Sequence, residues 1–219
     1  MQVLNFQAYI PHYSTISRRI NKLEIKINEK LGNDIVIALD STGIKVANRG
    51  EWMQHKWHVR KKGYLKIHVA AVDIKKKRIL SLEVTSEEVH DDGKMLNKLV
   101  DSASENNNLK GILADGMYDS NNNFRYLSKN HIKPSIKTRS NSKVKSTNCH
   151  ARNMSVVKQQ ANLKRWKRSV SYGHRWMAET VFSSIKRMFG EHVTSRKFPN
   201  MVKEIFLKAT LYNMFNQMA

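Results

Sequence analysis

The run Ile35-Val36-Ile37-Ala38-Leu39 constrains this chain more than any other stretch. Five apolar residues, three of them β-branched, follow one another without alternation until Asp40-Ser41-Thr42-Gly43 ends the run. A segment so short and so apolar on both sides is expected to be a strand covered on both faces, and such a strand demands helices above and below its sheet. Gly111-Ile112-Leu113-Ala114 repeats the pattern and also ends on an acid followed by glycine, Asp115-Gly116. Tyr64–Asp73 and Arg78–Thr85 read as two further strands, joined through Ile74-Lys75-Lys76-Lys77 as an antiparallel pair.

Helical periodicity fills the rest. Asp91-Asp92 opens a helix with Met95, Leu96, Leu99 and Val100 on one side, and acids suit that terminus. Phe124–Asn130 is a short helix and Ile132–Ile136 a last short strand. A long helix is predicted over Gly173–Phe189, closed by Gly190, and a final one over Met201–Met218 behind Pro199. Three strands, a helix, a strand, a helix, a short strand and C-terminal helices make an α/β protein. The expected sheet is mixed and RNase H-like, three antiparallel strands plus parallel ones, with helices packed on it.

Charge narrows the partner. The 39 Lys and Arg outnumber 18 Asp and Glu, a net charge of +21, well beyond what solubility needs, so a polyanion is implied. A membrane is the weaker choice, since no apolar run approaches the roughly 18 residues that spanning requires. Met1–Ile10 lacks the charged head and apolar middle of a signal peptide. The single cysteine, Cys149, excludes an intrachain disulfide and a cysteine-rich zinc site, which suits a soluble protein of a reducing compartment.

The acids carry the chemistry. Asp40 and Asp115 each stand where a strand runs out, the place at which open α/β sheets bind ligands, and also the place where Asp-Gly turns are common. In the long C-terminal helix Tyr172, Arg175, Glu179 and Lys186 fall within an arc of about 60° at helical spacing. That stripe is either a solvated face with one Arg175–Glu179 pair a turn apart or one wall of a site.

The four residues and their gaps resemble the Tyr-Arg-Glu-Lys signature of the IS4/IS5-type DDE transposases, insertion-sequence enzymes of the RNase H-like superfamily. Leu39-Asp40-Ser41-Thr42-Gly43 and Ala114-Asp115-Gly116 are similar to the family's first and second Asp motifs, and His90-Asp91 to its His-Asp pair. The resemblance runs from Ile35 to the C-terminus. It implies a DNA transposase that performs metal-dependent cleavage of insertion-sequence ends and strand transfer into target DNA. Asp40, Asp115 and Glu179 would be the catalytic acids and would bind two Mg²⁺ or Mn²⁺ ions, hard cations that suit carboxylate oxygens. Tyr172, Arg175 and Lys186 would bind DNA by holding phosphates. The resemblance further implies a homodimer or higher assembly on DNA and a place in the prokaryotic cytoplasm, with the nucleoid. Two alternatives stand beside it: an RNase H-like nuclease that cuts without joining, and a truncated, inactive, basic DNA-binding protein.

Asp40 comes early for such a family. Residues 1–30 are therefore expected to be a short helical segment, the remnant of a DNA-binding region, and 31–219 the catalytic domain. A truncated copy or one product of a split reading frame would look like this. Ser14–Ile27 is predicted helical, capped by Ser14 or Thr15, and serves equally as a recognition helix or a basic surface helix. Gly50–Gly63 combines Trp52 and Trp57 with His55, His58, Arg60, Lys61 and Lys62, which suits either base stacking or a core-packing loop. His55 and His58 have no Cys or third His at zinc spacing, so zinc is not expected. The basic stretch Lys137–Val170 is expected to follow DNA backbone rather than read bases, with strong salt dependence.

Overall fold

A computed structural model describes residues 10–27, 29–46, 64–86, 92–195 and 197–218. The apolar run seeds a strand longer than itself, β1 (Gly32–Val46), which becomes the centre of the sheet. On one side β2 (Tyr64–Asp73) runs antiparallel to it, and β3 (Ile79–Ser86) runs antiparallel to β2. On the other side β4 (Asn107–Ala114) is parallel to β1, and β5 (Lys133–Ile136) is parallel to β4. A two-residue strand, β6 (His192–Val193), joins the far end of β1 in parallel. The order β3-β2-β1-β4-β5, with β6 on β1, is the mixed RNase H-like sheet anticipated from the sequence.

Seven α-helices accompany the sheet among the described residues: α1 (Tyr13–Lys22), α2 (Met95–Ser104), α3 (Asn121–Lys129), α4 (His150–Ala161), α5 (Leu163–Ser169), α6 (Trp176–Phe189) and α7 (Phe198–Met218). Strand alternation sorts them into two layers. Ile35, Ile37 and Leu39 turn towards Leu96, Leu99 and Val100 of α2 and Phe124 and Leu127 of α3. Ala38, Ile44 and Val46 turn the other way, towards Val181, Phe182 and Ile185 of α6 and Ile205 and Ala209 of α7. Each fully buried Leu, Ile or Phe contributes roughly 1.5–3 kcal/mol, so this double burial outweighs helix propensity in placing the helices. Among the described residues no helix is long and apolar enough to cross a membrane.

The exposed edge of β3 is closed by side chains of α7. Asn213 accepts from the Ile79 N–H at 2.9 Å and donates to the Ile79 carbonyl at 2.8 Å, so one amide satisfies both backbone groups of an edge residue. Tyr212 and Asn216 donate to the carbonyls of Lys77 and Lys76 and hold the preceding turn.

Some boundaries depart from the sequence reading. The first helix stops at Lys22 because Leu23-Glu24-Ile25-Lys26-Ile27 alternates with period two; Ile27 packs on the α6–α7 core. Its N-cap is His12, whose ring nitrogen accepts from the Ser14 N–H, rather than Ser14 or Thr15. The helix predicted from Gly173 is a 3₁₀ turn over Tyr172–Arg175 followed by α6 from Trp176. The last helix starts three residues earlier than predicted, at Phe198, with Pro199 in its first turn where a missing N–H costs nothing. The Gly50–Gly63 loop and the His90-Asp91 pair lie outside the described residues. The segment ahead of β1 is tied to the body: Glu29 meets Arg78 at 2.7 Å, and Lys203 donates to the carbonyls of Ile20 and Asn21 at the end of α1.

Candidate active site

The site lies where the sheet forks. β4 pairs with β1 only as far as Ala38 opposite Leu113, and β6 takes up the same edge only at Lys45. Carrying the Ala38–Leu113 register two residues on brings Asp40 opposite Asp115, both in the fork. Alternation then decides which way they face. Asp40 and Thr42 continue the phase of Ala38, towards α6. Between Ile35–Leu109 and Val36–Gly111 the register skips Lys110, an extra residue that rephases β4 and puts Leu113 on the same face as Ala38. Asp115 follows in extended backbone (φ −80°, ψ −178°) and keeps that phase.

Helix α6 lies across this fork. Its inner side, Ala178, Val181, Phe182 and Ile185, is buried against the sheet. Its polar side meets the part of β1 that β4 leaves uncovered. Arg175 Nη1 donates to Asp40 Oδ2 at 3.2 Å and Nη2 donates to Glu179 Oε1 at 2.5 Å, so one guanidinium bridges two acids. Lys186 Nζ donates to Thr42 Oγ1 at 2.9 Å. Asp40 Oδ1 accepts from the Ser41 N–H at 2.9 Å, and Asp115 Oδ1 accepts from the Met117 N–H at 2.9 Å, which starts the 3₁₀ turn Gly116–Tyr118. Glu179 is the exposed member of the three acids, with 55% of its side-chain surface free against 20% for Asp40.

Tyr172 is set apart from the stripe by its 3₁₀ backbone. Its ring is buried beside Trp166, centroids 5.1 Å apart, and its hydroxyl donates to the Ala114 carbonyl at 3.0 Å. The sequence groups Tyr172 with Arg175 and Lys186 as a phosphate-holding set; the structure places its hydroxyl in the core, on the residue that precedes Asp115.

Electrostatics mark the same place. Burial raises the Asp40 carboxyl above the ordinary carboxylate range; Ser41 N–H and Arg175 oppose this, while Glu179 and Asp115 push further upwards. Burial also raises the Tyr172 hydroxyl to about 12, with Arg175 opposing and Asp115 and Asp40 adding to the rise. Burial works against the Arg175 charge, but Asp40, Tyr172 and Glu179 together outweigh it and hold the guanidinium more firmly protonated. Three carboxylates thus stand in one another's field.

Their donor chemistry is all oxygen and suits a hard divalent cation, whose charge would offset the burial and the two neighbouring acids that raise Asp40. Among the described residues no three His, Cys, Asp or Glu side chains stand close enough to hold a metal ion as they are, and Arg175 is interposed between two of the acids. Thr42 and the Ala114 carbonyl are contacts that sequence reasoning passed over. Alternation from Asp40 could have found Thr42, whereas Ala114 required the position of Tyr172 in space.

A family model described as Transposase DDE domain matches residues 32–214, and a second model of the same description matches residues 1–49. The first match takes in every strand of the sheet, all three acids, and Arg175 and Lys186. The chain therefore belongs to the DDE transposase family, whose members act on DNA and generally use divalent metal ions.

Proposed function

We propose that this chain cleaves insertion-sequence ends and transfers the cut strand into target DNA, with Asp40, Asp115 and Glu179 holding two Mg²⁺ or Mn²⁺ ions. The observation that carries the reading is the approach of Asp40 in mid-β1, Asp115 just past β4 and Glu179 of α6 to a single fork, within a chain of net charge +21. A strongly basic DNA-binding surface has little use for clustered carboxylates unless they neutralise cations. When bound, such ions activate the attacking oxygen and stabilise the leaving 3′ oxygen of an in-line displacement.

The residues divide the work. Asp40, held within β1, and Asp115, just past the end of β4, form the rigid part of the cradle; Glu179, exposed on α6, is the part free to adjust. Arg175 neutralises Asp40 and Glu179 before DNA arrives and turns to a phosphate when one approaches, for which its planar fork is suited. Lys186, steadied by Thr42, adds a second positive charge at the same wall. Tyr172 fixes the end of β4 and reaches a phosphate only by giving up Ala114. In each step an oxygen of water or of a DNA 3′-hydroxyl bonds to phosphorus as the bond from phosphorus to the 3′ oxygen breaks. The attacker loses its proton and the leaving oxygen gains one, so no side chain becomes linked to DNA. Paired ends imply a homodimer or higher assembly on the DNA, acting in a prokaryotic nucleoid. Helix α1 is read as a DNA-contacting appendage to the catalytic body 31–219.

The test is nicking of a duplex carrying the element's terminal sequence, with Mg²⁺ or Mn²⁺, by the native chain and by Glu179→Gln. Nicking is expected with the native chain and should fall on the order of a thousandfold in the variant, while duplex binding persists. Nicking without joining would identify a nuclease. Binding without nicking by either chain would identify an inactive DNA-binding protein.

A further inference from the structure

Between Asp119 and Glu179 the chain carries fourteen Lys and Arg and no Asp or Glu at all, although it has 18 acids elsewhere. A solvated surface ordinarily mixes both signs, so an acid-free stretch of this length marks a surface built for a polyanion. The structure gives part of it a shape. Arg139, Asn141, Lys143, Lys145, Asn148 and Arg152 line a groove beyond the ends of β4 and β5. The groove is anchored beside the candidate active site: Lys137 N–H donates to the Ala114 carbonyl at 3.1 Å, and Arg139 Nε donates to the Gly116 carbonyl at 3.3 Å, on either side of Asp115.

Its floor is neutralised from within. The buried Asp119 carboxylate receives Arg152 through two nitrogens at 2.7 and 3.0 Å, the Ser142 hydroxyl at 2.8 Å and the Arg139 N–H at 3.0 Å. One acid is thus spent on folding the loop, and the exposed Arg139, Lys143 and Lys145 side chains remain for a ligand.

We infer that this groove holds the phosphate backbone of the target duplex, the second DNA of the joining reaction, an inference that rests on the function proposed above. Arg175 and Lys186 meet Asp40, Glu179 and Thr42 at the β1 side of the fork, whereas the groove adjoins Asp115 from beyond the ends of β4 and β5. Joining requires two DNAs to meet at one phosphorus, and the two basic walls provide one place for each. A target has no fixed sequence. The groove suits that partner because it offers long flexible cations and amides on an irregular loop, not a helix or strand shaped to enter a major groove. A second copy of this chain is a poor occupant, since it would bring its own excess of +21 against an acid-free surface.

The experiment uses the full chain with the double variant Lys143→Ala/Lys145→Ala, both residues exposed, and Lys110→Ala as a control on the opposite half of β4. Binding of a short random-sequence duplex without metal, measured against salt, should show a log–log slope shallower by about 2 in the double variant and unchanged in the control. Joining of a pre-cut end to a supercoiled plasmid should fall roughly tenfold, while nicking at the element's end stays within about twofold. An unchanged salt slope would overturn the inference, because the groove would then carry no phosphate. Equal losses of nicking and joining would overturn it by assigning the groove to the element's end. The salt slope needs no catalysis, so it tests the groove even where the joining reaction itself fails.

Discussion

Asp40 and Asp119 are both aspartates met by an arginine, and the two pairs are built in opposite ways. Asp119 has a fully buried side chain and takes both arms of Arg152, a hydroxyl and an N–H; burial pushes its carboxyl up, but these donors overcome it and hold it below the ordinary range. Among the described residues Asp40 takes a single guanidinium nitrogen and one N–H, shares that guanidinium with Glu179, and is raised by burial and by two neighbouring acids. The first pair is a finished structural joint. The second is under-supplied with positive charge, the condition under which a carboxylate has something to gain from a cation. The difference shows how one residue pairing serves as scaffold in one loop and as poised chemistry in another.

The largest effect expected from this contrast is on stability. Asp119→Asn strands Arg152 in a nearly closed site and should cost about 3 kcal/mol at neutral pH. Its pH dependence fixes the sign: with a lowered folded-state pKa, Asp119 contributes stability above the ordinary carboxylate range and loses it as pH falls through the folded value. The gap between native chain and variant in urea titrations should therefore close in acid. Asp40→Asn should behave in reverse. A raised carboxyl leaves stability intact below the ordinary range and erodes it as pH rises through the folded value, so the variant should match the native chain in acid and exceed it at neutral pH. Equal losses from both substitutions would erase the distinction between joint and site.

A smaller effect separates the two arginines. Arg175→Ala removes the cation that Asp40 and Glu179 share and should tighten Mn²⁺ binding in the absence of DNA by roughly tenfold, read from free Mn²⁺ by electron paramagnetic resonance. Arg152→Ala should leave Mn²⁺ affinity unchanged while destabilising the fold. If Arg175→Ala weakened Mn²⁺ binding, the guanidinium would be a support of the cradle rather than a competitor for it.

The sequence disclosed Asp40 and hid Asp119 and both aspartate–arginine pairs, for physical reasons. Asp115 follows the last residue of β4, as the hydrophobic pattern predicts; Asp40 ends an apolar run but not a strand, because β1 continues to Val46 by pairing with β2, and Asp40 stands mid-strand just beyond the point where β4 leaves β1. Helical spacing put Glu179 on one face with Arg175 and Lys186, and the family resemblance, not the spacing, set it apart from a solvated face. The antiparallel β2–β3 pair and the order of elements followed from alternation and turn length. Asp119 carries no such signal: its partners come from residues 139, 142 and 152, brought together by a loop without periodicity. The face on which Asp115 emerges was hidden as well, since it depends on the extra residue Lys110, and a bulge in a parallel pair is set by tertiary fit. The backbone of Tyr172 was illegible too: it lies in a 3₁₀ turn ahead of α6, which winds faster than the 100° per residue of the helical stripe.

Tyr172→Phe gives the finest test of where scaffold ends and site begins. The hydroxyl makes one buried hydrogen bond, to Ala114, and its loss leaves that carbonyl with the Lys137 N–H alone, a cost of about 1 kcal/mol in urea unfolding. The kinetic consequence discriminates further. If Tyr172 acts by fixing the end of β4, the variant should lose several-fold in kcat for nicking with KM for DNA unchanged, because only the placement of Asp115 has loosened. If its hydroxyl instead turns out to hold a phosphate, KM should rise while kcat holds, and the variant should show weaker DNA binding at every salt concentration. The first outcome would put Tyr172 with Asp119, among the groups that build the site without touching substrate. The second would put it with Arg175, and would require the Ala114 bond to break on DNA binding.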